Sequence, residues 1–261
     1  MTRRLEGRVV IVTGGGGGIG LAYCRRFLDE GAKVVIAEIG REQGEAAEAE
    51  LATEDAVFVP TDITDEASTE ACRDAAIERF GTIDVLVNNA ALYGELDTAN
   101  NSVDYLRHVY DVNVIGQWLM AKAAAPTMVR KGRGRIINVG SIAGYLPLGV
   151  FGGNDPENFS LGSYAYQQTK FAVLGLTRQL AGELGKYGVT VNTLAPGLVM
   201  TDATAKQVPA GFDDMFAQMS ATKRNSEADD MTGPALFLAS DDAAMVNGQV
   251  LCVDGGNVMP A

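Results

Sequence analysis

The sequence predicts an α/β protein: a single-domain, Rossmann-type, doubly wound parallel sheet of about seven strands with helices on both faces, spanning residues 1 to 261. Three observations predict it. Short β-branched apolar runs alternate with longer runs of helical period along the whole chain. The strand runs are nearly all apolar instead of alternating with polar residues, as a sheet covered on both faces requires. With 261 residues, 47% of them hydrophobic, the chain is long enough for one large core. Right-handed crossovers then favour the doubly wound topology.

In chain order the strands read "RVVIVTG" (8 to 14), "KVVIAEI" (33 to 39), "VFVPTDI" (57 to 63), "IDVLVNNA" (83 to 90), "RIINVGS" (135 to 141), "VTVNTLAPG" (189 to 197) and "QVLCVDGG" (249 to 256). Helix-period runs lie between them, two of them long, at about 102 to 130 and 164 to 186. Those two carry more small and apolar residues than one sheet face needs, in "LMAKAAAP" and "FAVLGLTRQLAGEL", so their outer faces read as subunit contacts or as ordinary core. Three stretches break the alternation, near 93 to 102, 144 to 163 and 198 to 230. They follow strands four, five and six, where an open α/β sheet places its ligand.

Charge and composition narrow the function. A formal net charge of −12 repels phosphate backbones and anionic membrane surfaces, so neither nucleic acid nor membrane is an expected partner. No apolar run reaches bilayer length and no basic-plus-apolar leader opens the chain, so a cytoplasmic protein is expected. Cys24, Cys72 and Cys252 lie far apart without metal-ligand spacing, and read as buried free thiols with no metal site. The single histidine, His108, has no Ser or Cys motif beside it and reads as structural or surface, against His-based hydrolysis.

The segment "TGGGGGIG" (13 to 20) joins the first strand to a helix. Gly14, Gly18 and Gly20 there permit a tight turn, close approach of backbone to a pyrophosphate and close packing of helix on strand. The helix start adds free N–H groups and the positive dipole end. Glu38 ends the second strand, 18 positions after Gly20, where a carboxylate accepts from ribose hydroxyls and repels a 2′-phosphate. NAD(H) is therefore expected over NADP(H), although Arg41 nearby leaves room for the latter.

In "YAYQQTK" (164 to 170), Tyr166 and Lys170 are four apart and share a helix face, whereas Tyr164 points away. A phenol beside an ammonium ionises more easily, which makes Tyr166 the expected acid/base. Ser141, after the fifth strand, can fix a substrate oxygen near that phenol. Asn113 is a polar residue in an apolar-periodic helix, compatible with an inter-helix hydrogen bond.

Taken together, T-G-x-x-x-G-x-G at 13 to 20, "NNA" at 88 to 90, Ser141, Tyr166-x-x-x-Lys170 and "PG" at 196 to 197 resemble the short-chain dehydrogenase/reductase family, from about residue 5 to "VDGG". One departure is "NNAA" where that family commonly has "NNAG". The resemblance implies a homotetramer that transfers hydride between a nicotinamide and a carbonyl or secondary alcohol. It implies Asn113, Ser141, Tyr166 and Lys170 as the catalytic set, with Asn113 holding a relay water. It further implies cofactor contacts from Gly14, Gly18, Ile19, Gly20, Glu38, Asp62, Ile63, Asn89, Tyr166, Lys170, Pro196, Gly197, Val199 and Thr201. An NAD-dependent alcohol dehydrogenase or ketone reductase for a hydrophobic cyclic or aryl substrate leads. A 3-oxoacyl-thioester reductase using NADPH is the alternative, and a nucleotide-sensing regulator a third. The unusually long, apolar stretch 145 to 163 is expected to cover the substrate pocket, opposite the segment after strand six.

Overall fold

The computed structural model describes residues 3–93, 102–146, 157, 164–206, 208 and 210–260. Seven strands, β1 (Val9–Thr13), β2 (Lys33–Glu38), β3 (Ala56–Pro60), β4 (Val85–Asn88), β5 (Gly134–Val139), β6 (Val189–Pro196) and β7 (Val250–Val253), form one sheet in the order β3-β2-β1-β4-β5-β6-β7. Every pairing is parallel. The order reverses between β1 and β4, which creates the crevice that open α/β sheets use for ligands.

Strand residues divide by parity, because successive side chains point to opposite faces. Val10, Val12, Val34, Ile36, Val85 and Val87 enter one core together with Tyr23 and Phe27 of α1 (Gly18–Asp29), Ala47 of α2 (Arg41–Leu51) and Ala235 and Leu236 of α9 (Thr232–Ala239). Ile11, Val35, Ala37 and Leu86 enter the other, against Cys72 and Ala76 of α3 (Glu66–Phe80), Met120 of α5 (Gly116–Lys131) and Leu180 of α6 (Ala165–Leu184). Asp65 caps α3 by accepting from the Ser68 N–H at 3.2 Å. Gly81 and Gly132 end α3 and α5 in the left-handed conformation.

Two details differ from the sequence reading. The helix expected from 102 to 130 is α4 (Val103–Tyr110), a π-helical turn Asp111–Ile115, and α5. Such one-turn π segments concentrate at functional sites, and this one carries Asn113. Cys24 and Cys72 are buried, but Cys252 is only half-buried, because β7 is an edge strand with one neighbour. Among the described residues, no helix is long and apolar enough to cross a membrane, and no cluster of His, Cys, Asp and Glu could hold a metal ion.

Candidate active site

At the carboxyl ends of the strands lies a cavity of about 590 Å³. It is lined by Gly14, Gly18, Ile19, Glu38, Asp62, Ile63, Asn89, Ser141, Tyr166, Lys170, Pro196, Gly197, Val199 and Thr201. Gly20 and Asn113 are not in its wall and act from behind it. A side chain at Gly20 would place its Cβ 2.0 Å from the Gly14 carbonyl oxygen, so only glycine lets α1 start this close to the end of β1. Gly14 takes φ +64, a conformation that other residues rarely adopt.

The crevice is stitched by side chains. Asn89 Nδ2 donates to the carbonyls of Thr13 (3.0 Å) and Gly14 (3.3 Å), and Thr13 Oγ1 accepts from the N–H groups of Asn89 and Ala90. Asn89 thus fixes the glycine-rich turn against β4. Glu38 accepts from the Gly16 N–H at 3.2 Å through one carboxylate oxygen and from the Gly40 N–H at 3.1 Å through the other. These bonds hold its charge at the rim of the glycine turn. Arg41 points its charge at Glu45, 3.2 Å away. The first turn of α1 has Gly17 as N-cap and, among the described residues, no capping side chain, which leaves its N–H groups without a side-chain partner there. Asp62 Oδ1 accepts from the N–H and the hydroxyl of Thr64, and Ile63 is buried beside it.

On the other side of the cavity, β5 ends at Ser141, whose Oγ accepts from the Ala143 N–H at 3.1 Å. Tyr166 and Lys170 stand one turn apart on α6, with Lys170 Nζ 5.4 Å from the centre of the Tyr166 ring. Lys170 is 1% exposed. Its one hydrogen-bond acceptor among the described residues is the Val139 carbonyl, at 2.9 Å, so two ammonium hydrogens are left for whatever enters the cavity.

The electrostatics correct one expectation. Spacing has Lys170, together with an oxidised nicotinamide, drawing the Tyr166 phenol down; in the chain by itself burial pushes the phenol up to about 12. A hydrogen bond with Ser141 acts in the lowering direction, and Tyr93 raises it further. Tyr166 itself remains half-buried, with part of its surface open to the cavity. Burial also lowers the Lys170 ammonium to about 7. The two groups therefore share a helix face, as their spacing requires, while desolvation keeps each nearer its neutral form.

Asn113 is fully buried, and both hydrogens of its amide are engaged. Its Nδ2 donates to the Leu92 carbonyl (2.8 Å) and to Thr169 Oγ1 (3.0 Å), while Oδ1 accepts from the Leu92 N–H (2.7 Å). Thr169 Oγ1 in turn donates to the Tyr166 carbonyl at 2.8 Å. Asn113 is thus a clamp between the exit of β4 and the first turn of α6. Any water it holds must be held by an oxygen, not by the amide hydrogens.

Several wall residues were not singled out from the sequence. Tyr93, Leu198, Thr204, Val208, Phe212 and Phe216 line the cavity, the last five from the segment after β6 that includes α7 (Asp202–Ala205) and α8 (Phe212–Met219). The break in the alternation marked that segment, but no local pattern picks out which of its residues turn inward. His108, on α4, is exposed and also borders the cavity. The stretch 145 to 163 lies outside the described residues except for Tyr145, Leu146 and Glu157, and Leu146 lines the cavity.

A family model described as Enoyl-(Acyl carrier protein) reductase matches residues 14–257. The 3-alpha-(or 20-beta)-hydroxysteroid dehydrogenase of Mycobacterium tuberculosis is 37% identical over 258 residues, covering 99% of this chain and 92% of its own. The 2,5-dichloro-2,5-cyclohexadiene-1,4-diol dehydrogenase of Sphingobium indicum is 36% identical over 258 residues, covering 98% of each chain. The crystal structure of levodione reductase superposes with a TM-score of 0.86 at 33% identity, over 97% of this chain and 98% of that one.

Proposed function

The chain belongs to the short-chain dehydrogenase/reductase family of oxidoreductases, and from that premise we propose that it moves hydride between NAD(H) and a secondary alcohol or ketone on a hydrophobic ring. The observation that carries this reading is the convergence of Ser141, Tyr166 and Lys170 on the same cavity as the glycine turn and Glu38. The residues present fit a dinucleotide: the uncapped start of α1 suits a pyrophosphate, the fixed Glu38 carboxylate suits ribose hydroxyls, and the two unengaged hydrogens of Lys170 suit a second ribose. Asp62 and Ile63 would flank the adenine, with Ile19, Pro196, Gly197, Val199 and Thr201 around the phosphates and nicotinamide. Glu38 repels a 2′-phosphate, and Arg41, occupied by Glu45, does little to offset it.

The cofactor supplies the hydride acceptor or donor and, when oxidised, a positive charge. The chain's own residues do the rest. Ser141 holds the substrate oxygen beside the Tyr166 hydroxyl. With its phenol pushed up to about 12, Tyr166 keeps its proton across the neutral range, which is the form that donates to a ketone oxygen. In the alcohol direction the same oxygen takes the proton, and a charged Lys170 nearby favours that state. Asn113 keeps Tyr166 and Lys170 in register through Thr169. Leu198, Val208, Phe212 and Phe216 give the substrate side an apolar wall, in keeping with relatives named for steroid, cyclohexadiene-diol and levodione substrates.

Exposed Ile115 of the π-helical turn, Trp118 of α5 and Phe171 of α6 support assembly of copies through these helices, as a homotetramer. A screen of cyclic ketones and secondary alcohols with NAD(H) and NADP(H), followed at the reduced-nicotinamide absorbance, tests the reading. Absence of turnover across the panel, or turnover unchanged in Tyr166→Phe, refutes it.

A further inference from the structure

α8 forms part of the apolar cavity wall, yet it is a helix of eight residues, too short to hold its shape alone in water, and Phe216 is its one buried residue. Phe212 and Phe216 both line the cavity, their ring centres 4.7 Å apart. What fixes them lies where the chain leaves α8 and meets the loop that follows β7.

Ser220 caps the end of α8, its N–H donating to the Phe216 carbonyl at 3.0 Å, and it is fully buried. Its Oγ donates to the Gly255 carbonyl at 3.1 Å and accepts the Thr222 N–H at 3.1 Å. The Ser220 and Thr222 hydroxyls lie 2.8 Å apart; because the Ser220 hydrogen goes to Gly255, Thr222 is the donor between them. One hydroxyl thus spends its single hydrogen and both lone pairs on a clasp between α8 and the C-terminal loop. The Thr222 N–H also reaches the Gly255 carbonyl, at 3.0 Å. Gly255 takes φ +65, and a side chain there would drive its Cβ into the hydroxyls of Thr222 and Ser220, so the approach requires glycine.

Gly255 is itself held in place. Asp254, 6% exposed, accepts the N–H groups of Gly256 (2.9 Å) and Val258 (2.7 Å) on its two oxygens. The Gly197 N–H donates to the Val253 carbonyl at 3.1 Å, and a Cβ at Gly197 would lie 2.9 Å from that of Asp254. The clasp therefore refers the position of α8 to the sheet through β7.

We infer that Ser220 is a positioning residue for the substrate wall: by tying the end of α8 to Gly255 it holds Phe212 and Phe216 against the cavity and so sets which ring sizes the enzyme accepts. This rests on the proposed reading of the cavity as the site of a cyclic alcohol or ketone, but the clasp itself is testable without turnover. When the hydroxyl link is lost, α8 yields more readily, and a larger ring gains on a smaller one.

Hydrogen–deuterium exchange, with kinetics on cyclohexanone and the two-ring ketone 2-decalone, compares wild type with Ser220→Ala, Thr222→Ser and Thr222→Val; residue 222 is exposed, so its variants keep the test open should Ser220→Ala not fold. In Ser220→Ala the α8 amides are expected to exchange about tenfold faster, the size of one hydrogen bond, with those of β1, β4 and β5 unchanged. The ratio of kcat/KM on 2-decalone to that on cyclohexanone should rise about fivefold at unchanged cofactor KM, within what an apolar pocket decides by fit. Thr222→Ser keeps every bond of the clasp and should match wild type, whereas Thr222→Val should act as Ser220→Ala does, less strongly. Unchanged exchange, exchange faster throughout the sheet, or an unmoved ratio overturns the inference. If wild type turns over neither ketone, the oxidoreductase reading for such rings fails separately. Calorimetric titration of both ketones then decides the role of the clasp: relative affinities that the substitutions shift towards 2-decalone support it, and unshifted or absent binding overturns it.

Discussion

Replacing Lys170 with methionine should stabilise the folded protein below about pH 10 and lose that advantage above it. Lys170 is 1% exposed and its ammonium is lowered from 10.5 to about 7 by burial. The unfolded chain keeps the ordinary lysine value, so between pH 7 and 10.5 the unfolded state binds more protons, and wild-type stability rises with pH across that window. Below pH 7 both states are protonated and the penalty of the buried charge is fully present, about 5 kcal/mol; it falls to about 3 kcal/mol at pH 8.5 and about 1.4 kcal/mol at pH 9.5. Against it stands the hydrogen bond from Lys170 to the Val139 carbonyl, about 1 kcal/mol, which methionine cannot make. The difference between variant and wild type should therefore change sign, from several kcal/mol in the variant's favour at pH 6.5 to a slight deficit near pH 10.5. Urea unfolding of both proteins at equal concentration across pH 6 to 10.5 reads it out. A difference that does not vary with pH, or a wild type more stable than the variant at pH 6.5, refutes the claim that Lys170 is held against its charge.

Tyr166→Phe should leave fold and cofactor affinity intact and lower turnover by a factor of about 10² to 10⁴, whereas Tyr164→Phe should be nearly silent; steady-state kinetics beside far-ultraviolet circular dichroism separate these outcomes. Wild type should use NAD⁺ at least about tenfold better than NADP⁺, a margin of about 1.4 kcal/mol that one misplaced charge supplies, and Glu38→Gln should narrow it while keeping an acceptor for the Gly16 N–H; equal use by wild type removes the assignment. Gly20→Ala should abolish cofactor binding, measured by quenching of the single tryptophan or by calorimetry, because its Cβ would meet the Gly14 carbonyl at 2.0 Å and force the turn open. Placing aspartate at both Trp118 and Phe171 should shift the assembly towards smaller species in light scattering, and an unchanged mass would detach these helices from the subunit interface.

What the sequence determined by itself was what depends on near neighbours. β-Branched runs such as "RVVIVTG" specify strands because their side chains suit a sheet buried on both faces, and Gly14 and Gly20 mark a turn because no other residue fits it. Tyr166 and Lys170 share a face because a helix repeats every 3.6 residues. The tertiary structure decided what depends on the sum of distant surroundings. Spacing put an ammonium near a phenol and suggested that the phenol is lowered; the enclosing walls desolvate both groups, and desolvation, which no local pattern records, raises the phenol and lowers the amine instead. The same holds for the π-helical turn at Asn113, whose amide is matched to the Leu92 backbone 21 residues away, and for the cavity wall to which Tyr93, Thr201 and Thr204 all contribute. They share that cavity only because the parallel sheet delivers the ends of β4 and β6, remote in sequence, to the same edge of the fold.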